Sequence, residues 1–143
     1  MSELSELIIQ LRDEYVEKQL VANFEEINCG YCVDFADEIE FRLNKPIGTL
    51  SNDHFIVERE DSDGWNGDER DVWDEKWLKE YNSMPPNGIK IEELTNLITG
   101  YHYWIFEEGK HYDAECPNGV ANMFDLPFFQ RKFSDQRSEE LVD

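Results

Sequence analysis

Positive charge is what this chain has least of. Thirteen Lys and Arg stand against 33 Asp and Glu, giving a formal net charge of −20 over 143 residues. A phosphate backbone is bound by exchanging its counterions for Lys and Arg, so this balance argues against nucleic acid as a partner and favours basic ones. Long apolar runs are also missing. None approaches the roughly 20 residues needed to span a bilayer, and Met1-Ser2-Glu3-Leu4-Ser5-Glu6 lacks the basic start of a signal peptide. Three cysteines are too few, and the wrong parity, for a disulfide framework. Repeats, low-complexity blocks and linkers are absent. These gaps predict a cytoplasmic protein with no membrane partner.

What is present points to a folded domain. Four Trp, six Tyr and nine Phe within a 40% apolar composition argue against disorder. A chain of this length buries roughly two-thirds of its unfolded surface, so residues 1–143 are expected to form one domain. The acidic surface is either simply solvated or an imitation of nucleic acid at a site on another protein.

Leu4, Leu7, Ile8, Leu11 and Tyr15 share one helical face and predict a helix over about residues 3–20. Residues 21–28 read as a connection. A second helix should begin at Cys32 and bury Val33, Phe35, Ala36, Ile39 and Leu43. His54 to Glu58 reads as a strand, and Trp73, Trp77 and Tyr81 mark a short helix ahead of Pro85-Pro86. Residues 60–88 are expected to be an acidic insertion within the domain. Its segment Asp61 to Asp68 fails the spacing of a calcium loop, because either glycine register puts Arg59 and Arg70, or Ser62 and Trp73, at the end positions. Ile91 to Ile98 predicts a helix, Phe124 to Phe133 an apolar segment closing the core, and 134–143 a frayed polar tail.

Chemistry concentrates in two places. Cys32 directly precedes the apolar helical pattern, so it sits where unpaired amides and the helix dipole favour a thiolate. Gly30 lets the chain turn sharply just ahead of it. Cys32 is therefore the candidate nucleophile, with Cys29 in the approach loop. Downstream, Glu108-Gly109 reads as a two-residue turn that would set residue 104 opposite 113 and 102 opposite 115. With period-two alternation, His102, Trp104, Phe106, His111, Asp113 and Glu115 then share one face. His102 and Asp113 become diagonal neighbours, roughly 7–8 Å apart along the backbone. An aspartate there can hold the imidazole in the tautomer that meets a thiol.

Several alternatives stay open at this level. Glu115 rivals Asp113 as the third member, and His111 rivals His102 as the base, with His54 more distant. Cys29, Cys32, His111 and Cys116 could instead be zinc ligands. Asn28 can supply an amide to a developing oxyanion, or cap a turn. Cys29, Tyr31, Trp65 and Trp104 are the candidate lining of a substrate cleft. No cofactor is called for.

Gly30-Tyr31-Cys32-Val33-Asp34-Phe35-Ala36 resembles the nucleophile helix of papain-like and transglutaminase-like cysteine enzymes. His102-Tyr103-Trp104-Ile105, followed by Gly109-Lys110 and Tyr112-Asp113-Ala114, is similar to the histidine and aspartate strands of the transglutaminase-like branch. The resemblance implies an α+β fold with the nucleophile helix packed on a small antiparallel sheet. It also implies Cys32 as nucleophile, His102 as base and Asp113 as its orienter, acting on an amide or thioester of a peptide or protein substrate. Glu26 departs from the pattern: papain-type enzymes carry an oxyanion-binding glutamine six residues before the nucleophile. The competing expectation is a non-catalytic acidic interaction or inhibitor protein on the same scaffold.

Overall fold

The computed structural model describes residues 2–60 and 69–142. Helix α1 (Glu3–Glu17) is capped by Ser2, whose side chain accepts from the Ser5 amide. The stretch expected as a plain connection contains a short helix, α2 (Phe24–Gly30). Asn23 caps it through the Glu26 amide, and the Glu26 carboxylate returns to the Ala22 amide at 2.8 Å. That reciprocal cap needs few residues, which is why no apolar periodicity announced it. Tyr31 ends α2 and begins α3 (Cys32–Leu43), which stops at Asn44 in the left-handed conformation.

β1 (Thr49–Ser51) follows. Residues 52–55 form a 3-10 turn, so the strand expected from His54 begins only at Ile56; His54 is exposed and rings with Trp77 and Tyr81. β2 (Ile56–Glu60) pairs antiparallel with β3 (Glu69–Trp73), and α4 (Glu75–Glu80) comes after it. Trp73 thus closes a strand rather than opening a helix. Trp73, Leu78 and Ser83 are all buried, so residues after the acidic stretch contribute to the core. After α5 (Leu94–Leu97) come β4 (Tyr103–Glu107), β5 (Lys110–Asp113) and β6 (Cys116–Val120), then α6 (Pro127–Val142).

The architecture is α+β around an antiparallel sheet ordered β1-β4-β5-β6. The β4–β5 pairing is Ile105 with Tyr112, Phe106 with His111 and Glu107 with Lys110. Glu108 and Gly109 close this hairpin at φ 50° and 79°, the pair of positive values that matches strand twist. Alternation then sorts the side chains. Tyr103, Ile105 and Tyr112 face α1 and α3, packing with Ile8, Leu11, Ile27, Phe35 and Ile39. Trp104 and Phe106 face the other layer, with Phe55, Leu94, Phe124, Phe128 and Phe129. Each layer removes a large apolar area from water, the main driving force for folding. Val33 lies outside this pattern: it is 39% exposed, on the solvent side of α3.

Among the described residues no helix is long and apolar enough to cross a membrane.

Candidate active site

Cys32 is the first residue of α3, and no side chain caps that helix. Its first amides are therefore free to face negative charge. α3 packs on β4, which brings its amino end to the start of that strand, where His102 lies. The backbone of His102 is held from the other side by Asn52. The Asn52 Oδ1 accepts the His102 amide at 3.2 Å, the Asn52 amide donates to the His102 carbonyl at 3.3 Å, and its Nδ2 donates to the Gly100 carbonyl at 3.0 Å.

The His102 ring is fully buried. Its Nε2 lies 2.9 Å from Asp113 Oδ2, an acid that is itself 3% exposed. Phe128 of α6 stacks on the ring at 4.5 Å and 18°, and Trp104 stacks at 5.5 Å. With Nε2 held by Asp113, Nδ1 is left for the thiol. Nδ1 is buried and has no hydrogen-bond partner among the described residues, and Cys32 lies near enough for each group to shift the other's titration.

The electrostatics run the same way on both partners. Burial raises the Cys32 thiol, but the neighbouring His102 imidazole, with the amides of Tyr103 and Val33, outweighs it and brings the thiol below its ordinary value. Burial opposes a charged His102, yet Asp113 and Cys32 together raise it above the usual histidine value. Each shift eases transfer of the thiol proton to the ring. Cys116 behaves oppositely: burial and the nearby Asp113 push it up to about 11.

A second layer ties three elements to this site. Asp113 Oδ1 accepts the Glu115 amide at 2.9 Å. The Glu115 carboxylate receives both Arg131 nitrogens at 2.7 and 2.8 Å, and the Asn28 Nδ2 at 2.8 Å. Arg131 also reaches Glu25 at 3.3 Å. α6, α2 and the β5–β6 turn are thereby fixed against one another. Asn52, Phe128 and Arg131 had no local signal, because each acts over a long sequence separation.

The chain matches no family model, no curated protein and no solved structure in the comparisons made. The site rests on its own geometry.

Other expectations change. Glu115 does not orient a histidine; it is committed to Arg131 and Asn28. His111 is no base, since both of its nitrogens are used: Nδ1 accepts the Trp104 indole N–H at 2.9 Å and Nε2 lies 2.9 Å from the Tyr81 carbonyl. Burial holds it below its ordinary value, hence neutral. This also removes His111 as a zinc ligand, and among the described residues the four thiol and imidazole candidates do not gather around a common point. Trp104 does not line a cleft. It is 1% exposed, because its strand position faces the interior layer. Trp65 lies outside the described residues. Tyr31 and Cys29 are exposed beside Cys32, and Tyr101, preceding His102, is 47% exposed. Asn28 is buried, with one amide proton given to Glu115.

Proposed function

We propose that this chain is a thiol-dependent acyl hydrolase or acyltransferase of papain-like or transglutaminase-like type. One observation carries the reading: a buried imidazole held at Nε2 by Asp113, with Nδ1 unpaired and a half-buried, acid-shifted thiol beside it. A purely structural histidine would be expected to satisfy both nitrogens, as His111 does.

In the proposed reaction the Cys32 thiolate attacks the carbonyl carbon of an amide or thioester, and the carbonyl electron pair moves onto oxygen. The Cys32 amide at the helix start and the remaining Asn28 amide proton are the candidate donors to that oxygen. Collapse of the adduct expels the amine or thiol, which takes the Nδ1 proton from His102. Water, or an acceptor amine, then attacks the thioester while His102 takes its proton, and the thiolate leaves. Asp113 keeps the ring oriented and stabilises its charge throughout. Tyr31, Val33 and Tyr101 are the exposed apolar groups positioned to meet a substrate. Three free cysteines fit a reducing, cytoplasmic setting.

The test is acylation by p-nitrophenyl acetate. A stoichiometric burst of p-nitrophenol, with the acetyl group located on Cys32 by mass spectrometry and lost in Cys32→Ala and His102→Gln, is expected. Acetylation spread equally over Cys29 and Cys32, or a burst that survives Cys32→Ala, would overturn the assignment.

A further inference from the structure

A groove of about 530 Å³ opens between α1 and α3, away from the triad. Its floor is Leu11 and Tyr15, and its sides carry Leu20, 50% exposed, and Phe41, 78% exposed. Phe41 also borders a second depression of about 500 Å³ with Asp37 and Pro46. A phenylalanine this exposed, on a helix whose other face is well packed, leaves a large apolar ring in water at the junction of two hollows.

The rim decides what can cover it. Arg42 is neutralised by Glu14 and by Glu38 at 3.0 Å, and Lys18 leans on Glu14 at 3.9 Å. Asp34 and Asp37 are exposed and have no ion-pair partner among the described residues. The groove therefore presents uncompensated negative charge around apolar side chains, on a chain whose net charge is −20. A second copy of the chain would bring like-charged rims together, and anionic lipid or nucleic acid would be repelled. A cationic partner is attracted at every edge.

We infer that the α1–α3 groove docks a cationic amphipathic segment of another protein, one large apolar side chain packing beside Phe41 and Lys or Arg groups meeting Asp34 and Asp37. At about 100° per residue, Asp34 and Phe41 project about 200° and 180° around α3 from Cys32. Docking thus leaves the thiol open, and the inference stands whether or not Cys32 is a nucleophile.

The test is fluorescence anisotropy with a labelled Lys/Leu amphipathic peptide, and the same peptide with Leu replaced by Ser. Phe41→Ala should weaken binding of the Lys/Leu peptide about tenfold. Asp34→Asn with Asp37→Asn should weaken it about fivefold and flatten its salt dependence. Glu92→Gln with Glu93→Gln removes the same charge elsewhere and should change it by less than about twofold. All five positions are exposed, and thermal melts monitored by circular dichroism check that each variant is folded. Equal weakening by the control pair, equal binding of the Ser peptide, or no change with Phe41→Ala would each overturn the inference. So would a concentration-dependent dimer that Phe41→Ala abolishes in a protein that does not bind the peptide.

Discussion

Replacing His102 by Gln isolates the imidazole's effect on the thiol. Glutamine keeps a donor for the buried Asp113 carboxylate but supplies no positive charge and no base. In the native protein, burial of Cys32 is more than offset by His102 and by the Tyr103 and Val33 amides. Without the imidazole only the two amides oppose burial, so the thiol should titrate higher than it does in the native protein. An ordinary thiol is only a few per cent ionised at neutral pH, and each unit of pKa changes that fraction about tenfold. The alkylation rate of Cys32 by iodoacetamide at pH 7 should therefore fall by about tenfold or more in His102→Gln. The native protein carries its own controls: Cys29 is exposed, and Cys116, pushed up to about 11, should stay nearly unlabelled. Rates are read for each cysteine by peptide mass spectrometry between pH 5 and 9. In the native protein Cys32 should label at lower pH than Cys29, and Asp113→Asn should move its profile part of the way toward that of His102→Gln. A Cys32 profile that coincides with that of Cys29, or one unmoved by His102→Gln, would refute the ion-pair reading.

Three further outcomes test the frame around the site. His111 is buried and held neutral, so the unfolded chain takes up its proton first as pH falls; stability should drop below about pH 6.5. Urea denaturation across pH 5–8 should show that slope shrinking in His111→Gln, while His102, raised in the fold, contributes in the opposite direction. Phe129→Ala, in the aromatic layer beneath Trp104 and Phe124, should cost about 3–5 kcal/mol by urea denaturation. Glu108→Asn should stabilise the β4–β5 hairpin by about 0.5 kcal/mol or more, because asparagine accepts a φ of 50° more readily than glutamate. A null or negative change in melting temperature for that variant would count against turn strain.

How much was legible depends on how local each feature is. The His102–Asp113 contact followed from the turn and from period-two alternation, both properties of a dozen adjacent residues. The position of Cys32 at a helix start followed from the apolar spacing of Phe35, Ala36 and Ile39. The same parity argument placed Trp104 and His111 on the shared face but said nothing about depth. It therefore put Trp104 in a cleft when it lies beneath the imidazole, and left His111 as a rival base when both its nitrogens are taken. α2 went unread because its stability comes from a cap at Asn23 and Glu26 and from burial of Ile27, with too few turns for a periodic signal.

By itself the sequence determined the acidic surface, the hairpin register and the order thiol, imidazole, carboxylate. Only the tertiary structure decided that α3 packs on β4, that Asn52 clamps the His102 backbone, and that Glu115 serves Arg131 and Asn28 rather than a histidine. The physical reason is distance along the chain. Turn geometry and side-chain alternation act between near neighbours, whereas Cys32 and His102, or Asn28 and Glu115, are joined only when helices and sheet bury their apolar faces together.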